Sequence, residues 1–307
     1  YELGVEVEEN SELDLLVSYK AHAGDARIPG VVADMKAEMG ERTYEDMLER
    51  MAQFELTLLD WAEAHKGARK YVAFADKCWP AFPEQFGFEP CYVNSRLAAR
   101  GIPVACEVDI YGALSEYIGA CLTGDAVTLL DINNSVPKYI YDEDIAGKFD
   151  YKITDTFMGF HCGNTPSCKM CSGCAVKYQL IQHRLLEPAG SEPDFTRGTL
   201  EGDIAPGEIT FYRLQCDSEG VLRSYIAQGE VLPVATRSFG GIGIFAIPEM
   251  GRFYRHVLIQ KRYPHHGAVA FAHCGKALFE VLKYFGVSDI AYNLPKSLPY
   301  PTENPWG

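Results

Sequence analysis

Between Tyr71 and Asp131, short apolar runs alternate with stretches of helical character, and this alternation constrains the fold more than any other feature of the chain. Residues 71–75 read as a buried strand that runs into the loop Asp76-Lys77-Cys78-Trp79-Pro80. Residues 91–100 read as a helix closed by Gly101, since glycine tolerates the left-handed conformation that ends helices. Residues 102–106 form the next apolar run, ending at Glu107; residues 110–120 read as a helix, and 126–130 as a strand ending at Asp131. Uninterrupted apolar strands separated by helices imply parallel βα units with helices covering the sheet. Upstream, Thr43 reads as an N-cap with Asp46 at the third helical position. Tyr44, Met47, Leu48, Met51, Phe54, Leu58 and Trp61 then recur at helical spacing and predict a long amphipathic helix. Residues 1–40 give only a weak signal.

The texture changes after about residue 135. Residues 207–216 alternate as a strand does, Asp217-Ser218-Glu219-Gly220 supplies a turn, and 221–227 returns. Further β segments rich in Gly and Pro continue to about residue 272, and a helix is expected over 276–285. Gly240-Gly241-Ile242-Gly243 lies among these segments and reads as a tight turn. The expected class is α/β: a parallel βα layer followed by a mostly antiparallel, barrel-like β domain with a C-terminal helix. A boundary near residue 121 would divide an α/β domain, 1–121, from a β-rich domain, 122–307.

A chain of 307 residues can bury a large core without disulfides. Its net charge of −14 argues against nucleic acid as a partner, because phosphate binding needs a basic surface. No apolar run approaches the roughly 18 residues of a membrane helix, so no membrane partner is expected. No signal peptide is visible, and a cytoplasmic protein is expected. The ten cysteines do not read as a disulfide framework. Cys78, Cys91, Cys106, Cys121, Cys216 and Cys274 mostly lie in apolar or strand-like contexts and read as reduced buried thiols. Cys168, Cys171 and Cys174 form a CxxCxxC run with Cys162 shortly upstream. Such spacing lets thiolates converge on zinc or an iron–sulfur cluster, a candidate second metal site. The run lacks both the Cys-Pro of a ferredoxin motif and a distant second CxxC, and its other reading is a group of reduced thiols in a loop.

Glu107 and Asp131 are the most informative pair. Each is expected to end a parallel strand, where open α/β sheets bind their ligands. Two carboxylates there can share a hard divalent cation such as Mn²⁺ or Mg²⁺. The alternative is that acidic residues after strands cap the next helix, a part Asp109 could play.

The segment Gly101-Ile102-Pro103-Val104-Ala105-Cys106-Glu107-Val108-Asp109-Ile110 resembles the strand that carries the metal-binding Glu in the L-fucose/L-arabinose isomerases. Leu129-Leu130-Asp131-Ile132-Asn133-Asn134 follows at a similar separation to that family's second carboxylate. Pro264-His265-His266-Gly267-Ala268-Val269 resembles its His-His segment, and Cys78-Trp79-Pro80 with the preceding helix resembles its middle domain. The resemblance implies that Glu107, Asp131 and His266 bind metal, with Mn²⁺ expected and Mg²⁺ or Co²⁺ as substitutes. It implies that His265 and Trp79 contact substrate. His161, in Gly159-Phe160-His161-Cys162-Gly163-Asn164, resembles a ligand of the arabinose branch, although its spacing from Asp131 departs from that branch and substrate contact is its other reading.

The activity implied is interconversion of an aldose and a ketose, a pentose or 6-deoxyhexose, through an enediolate. Metal would stabilise the developing charge, while Glu107 and Asp131 move the protons. The family resemblance also implies a homo-oligomer, trimer or hexamer, and a further Rossmann-like domain before the region present here, which this chain is expected to lack. The second reading is a non-catalytic sugar-binding or redox- or metal-sensing relative that uses the Cys cluster. A hydrolase is disfavoured by the absence of a Gly-x-Ser-x-Gly elbow, and a nucleotide enzyme by the absence of a phosphate loop.

Overall fold

Ser11 starts the first helix. Its hydroxyl accepts from the Asp14 N–H, while the Asp14 carboxylate accepts from the Ser11 N–H, so two of the donors orphaned at a helix start are satisfied reciprocally. The computed structural model describes residues 3–43, 45–78, 81–178, 197–304 and 306. Three helices come first: α1 (Glu12–Ala21), α2 (Ile28–Met39) and α3 (Glu45–His65). The stretch with the weak sequence signal is therefore largely helical. In α3 the expected stripe of Met47, Leu48, Met51, Phe54 and Leu58 is buried; Tyr44, read as part of it, lies outside the described residues. The Phe54 ring meets Phe82 edge-on at 5.2 Å and Phe88 at 5.7 Å. Burying each such side chain stabilises by about 1.5–3 kcal/mol. Exposed pairs such as Lys36–Glu45 are screened by water and contribute little, so apolar burial holds this layer together.

The parallel βα layer is present but its strands are short. β1 (Phe74–Ala75) and β2 (Val104–Ala105) pair in parallel, Phe74 opposite Val104, with α4 (Ala81–Gln85) and α5 (Cys91–Ala99) between them. Helix α6 (Ile110–Thr123) follows, capped by the Asp109 carboxylate on the Gly112 N–H at 2.8 Å and ended by Gly124 in the left-handed conformation.

Among the described residues nine strands form the second sheet, in the order β11-β8-β7-β10-β3-β4-β9-β6-β5. They are β3 (Val127–Asn134), β4 (Thr156–His161), β5 (Ala175–Tyr178), β6 (Arg197–Asp203), β7 (Gly207–Cys216), β8 (Leu222–Val231), β9 (Gly241–Ala246), β10 (His266–Ala270) and β11 (Asp289–Tyr292). β8 also pairs with β9, Glu230 opposite Ala246, which closes β8-β7-β10-β3-β4-β9 into a barrel. Alternation along the strands separates two faces. Leu130, Phe157, Phe211, Tyr225, Phe245 and Val269 share one core, while their neighbours Leu129, Tyr212, Ile226 and Ala268 pack in another with α6 and the helix Gly275–Tyr284.

Two expectations are corrected in detail. The run ending at Asp131 is not a parallel strand: β3 lies in the barrel, antiparallel to β10 and β4, and Asp131 sits within it rather than at its end. A buried strand reads as an apolar run whatever its direction, so periodicity could not distinguish the two. The run beginning at Gly240 is not a turn: Gly241 opens β9, and Gly240, at φ +77, lies where a Cβ would meet the Phe160 ring at 2.4 Å. Among the described residues no helix is long and apolar enough to cross a membrane.

Candidate active site

The register of the barrel builds the site. His266, the first residue of β10, is the pairing partner of Asp131 in β3, so the two side chains project together. The Asp131 Oδ1 lies 3.1 Å from His266 Nε2 and 3.7 Å from His265 Nε2. His266 is buried, while the His265 side chain is exposed.

Glu107 reaches the same place from the other layer, two residues beyond β2. Glu107 and Val108 both adopt positive φ, 61° and 55°. Left-handed backbone at a residue other than glycine costs about 1–3 kcal/mol, and a β-branched valine is a poor candidate for it. The turn is held by the Val108 N–H donating to the Asp76 carbonyl at 2.8 Å. Glu107 Oε2 thereby comes 3.6 Å from His266 Nε2. Both carboxylates identified in the sequence thus approach one imidazole nitrogen.

His161 ends β4, buried, with its ring centroid 5.9 Å from that of His266. Ligand atoms of Glu107, His161 and His266 lie within 4.8 Å of one another, as do those of Asp131, His265 and His266. Burial opposes charge on His266, but Asp109 and Asp131 raise its pKa to about 9. Burial likewise works against the Asp131 charge, and His266 with the neighbouring imidazoles holds that carboxyl below its ordinary value. Burial lowers the His161 pKa against the pull of Asp131.

These residues fit a divalent cation. Asp131 Oδ1 and His266 Nε2 are buried and face each other, yet among the described residues neither completes a hydrogen bond. Buried polar atoms are nearly always satisfied, and a cation shared by these two metal-donor atoms would satisfy both. Carboxylate oxygens suit hard divalent cations and imidazole nitrogens suit divalent transition metals, so the mixed set can hold a divalent cation.

The remaining candidates lie elsewhere. Trp79 falls outside the described residues. All ten cysteines are unbridged. Cys174 is buried, its sulfur 3.8 Å from the Arg42 guanidinium; Cys171 points to the Ile204 carbonyl at 3.9 Å; Cys168 is exposed; Cys162 follows His161 and its N–H donates to His161 Nδ1 at 3.0 Å. Among the described residues, none of the three-residue groups whose ligand atoms converge includes a thiol. Thiols do gather behind Glu107, where a hydrogen bond with Cys78 and burial push the Cys106 thiol well up.

Residues 159–292, which carry His161, His265 and His266, match the family model of the L-fucose isomerase C-terminal domain. Over these residues the chain is similar to that family's C-terminal domain. It is similar to the sulfoquinovose isomerase of Alkalicoccus urumqiensis, 25% identical over 247 residues, or 76% of this chain and 48% of that protein. It is 33% identical to the sulfoquinovose isomerase of Clostridium sp. (strain MSTE9) over 141 residues, 44% of this chain and 30% of the relative. A third, from Priestia aryabhattai, is 24% identical over 65% of this chain and 38% of its own. The chain spans about half the length, or less, of these curated relatives.

Two residues at the site were not singled out from sequence. Asp109 was read only as a helix cap, which it is, yet its Oδ2 also lies 2.9 Å from His266 Nδ1. Arg213, buried in β7, forks onto both Asp109 oxygens at 2.7 Å each. The available signal was a charged residue at a buried position in a strand pattern, because arginine is almost never buried unless paired.

Proposed function

We propose that this chain carries the metal centre of an aldose–ketose isomerase acting on a pentose or 6-deoxyhexose, with sulfoquinovose, the 6-sulfonated sugar for which its relatives are named, first among the candidates. The observation that supports this most is the approach of Glu107 and Asp131 to the same His266 nitrogen, at 3.6 and 3.1 Å. Glu107, Asp131 and His266 would hold Mn²⁺, Mg²⁺ or Co²⁺, with His161 as a further donor. Such an ion supplies a Lewis acid for the carbonyl and the adjacent hydroxyl of the sugar. The rest falls to the chain's own side chains. One carboxylate removes the carbon-bound proton and the other transfers the hydroxyl proton, so the sugar passes through an enediolate. His265, exposed beside Asp131, contacts the sugar, and Trp79 is a second candidate contact. Assembly as a trimer or hexamer in the cytoplasm accompanies this reading.

The test is ketose formation from a panel of L-fucose, L-arabinose and sulfoquinovose, with added Mn²⁺ and after chelation. Turnover of one of these sugars that chelation abolishes and Mn²⁺ restores is the expected result. Mn²⁺ binding without turnover of any sugar would favour a sugar-binding or metal-sensing relative instead.

A further inference from the structure

We infer that Asp109 and Arg213 form a positioning pair that fixes which nitrogen of His266 faces the metal centre, and in which direction. The inference rests on the proposed metal site and extends it to two residues outside the ligand set.

A helix cap needs one donor, and Gly112 N–H provides it to Asp109 Oδ1 at 2.8 Å. Capping does not account for the other three donors on this carboxylate. Arg213 Nη2 donates to Oδ1 at 2.7 Å and Nη1 to Oδ2 at 2.7 Å, while His266 Nδ1 lies 2.9 Å from Oδ2. The three residues come from the start of α6, from β7 and from β10, so the contacts tie both layers together at the site. Gly112 leaves the carboxylate its room: a Cβ there would fall 2.6 Å from Asp109 Oδ2. Arg213 also reaches the His266 carbonyl at 3.4 Å, so it touches both the backbone and the partner of that residue. A two-pronged guanidinium fixes the plane of a carboxylate, which a lysine cannot do. With Nδ1 committed to Asp109, the nitrogen presented to Asp131 and Glu107 is Nε2. Outer partners of this kind set the tautomer and ring direction of a ligating histidine, and losing one typically costs about 10–100-fold in metal affinity.

The test is Mn²⁺ binding by the full chain, read as free Mn²⁺ by electron paramagnetic resonance, for the native protein and for Asp109→Asn, Asp109→Ser, Arg213→Lys, Arg213→Met and Asp131→Asn. Asparagine and serine are both good caps, so α6 stays capped and a purely structural role would leave affinity unchanged. The expected result is a loss of roughly 10–100-fold for both Asp109 variants, with Arg213→Lys intermediate between native and Arg213→Met. If Asp131→Asn loses Mn²⁺ while both Asp109 variants bind within twofold of native, the positioning role is overturned and the metal site stands. If the native chain takes up no Mn²⁺, or Asp131→Asn binds as the native does, the metal site fails and this inference fails with it.

Discussion

Asp131 and His266 face each other across the β3–β10 pair, Oδ1 to Nε2 at 3.1 Å, and among the described residues neither atom completes a hydrogen bond. The hydrogen-bonding group at the other end of the ring is already engaged by Asp109. Sheet register fixes both atoms, so a cation at the proposed site would meet them without either having to move.

Glu107→Gln should nearly abolish ketose formation while leaving the melting temperature close to native, since the Glu107 side chain is exposed. Losing a general base costs about 10²–10⁴-fold in rate, and weaker metal binding adds to the loss. Asp131→Asn should act similarly. The double variant should lose far less than the product of the two, because residues that act as a unit are not additive. Turnover unchanged by both substitutions would rule out the roles assigned to them.

Stability should fall as pH rises. Burial, with a smaller contribution from Asp76, pushes the Glu89 carboxyl up to about 8; burial raises Asp76 to about 6 against the hydrogen bonds of Asn94 and Cys106. Both values exceed the ordinary values of about 4, so the folded state holds these protons more tightly than the unfolded state. The stabilisation is complete below about pH 4 and is lost as pH rises through about 6 and then about 8. The melting temperature of the metal-free protein should therefore decline from about pH 5 to about pH 9. Glu89→Gln should flatten the upper part of that decline. His266 loses its proton in the same upper range, so a decline unchanged by Glu89→Gln would assign it to His266 instead.

Glu107 and Asp131 were legible as carboxylates closing apolar runs, whereas His161, His265 and His266 were singled out through the resemblance to the isomerase family. What it hid was direction and distance. The run before Asp131 has the same apolar character in a parallel or an antiparallel strand, and its pairing with β10 and β4 reveals which it is. The partnership of Asp109 with Arg213 spans more than a hundred positions and leaves no periodic trace. The CxxCxxC run was conspicuous for its spacing, yet Cys174 and Cys171 take partners on separate neighbouring segments, at Arg42 and Ile204. Spacing along a chain limits which side chains can converge, and the backbone path decides which of them do.

Gly119→Ala should destabilise the protein although it improves the helix. Alanine inside α6 is worth about 1 kcal/mol over glycine. A Cβ at this position would lie 1.8 Å from the Tyr212 Oη, and Tyr212 is 1% exposed and donates to the Ser115 carbonyl at 2.8 Å. Overpacking costs about 1–3 kcal/mol, and displacing the buried hydroxyl from its acceptor costs about 1–3 more. The net effect is a lower urea midpoint. Adding Tyr212→Phe to Gly119→Ala removes the oxygen that clashes and should recover part of the loss; no recovery would mean that the helix shifts as a whole.

Val108→Gly should separate stability from function. Val108 is half exposed and sits at φ 55, so its side chain contributes little burial and its backbone is strained. Relieving a left-handed valine returns about 1–2 kcal/mol, against about 0.5–1 kcal/mol for the added freedom of glycine in the unfolded chain. The variant should melt at the same temperature as the native protein or slightly higher. The same change loosens the turn that delivers Glu107 to within 3.6 Å of His266 Nε2, so Mn²⁺ binding should weaken several-fold. Strain retained at a ligand-bearing turn is favoured when it fixes a functional group. A calorimetric melt and an Mn²⁺ titration on one preparation decide the matter: a variant that is less stable and binds Mn²⁺ as tightly as the native chain would show that the 107–108 turn serves packing and not the site.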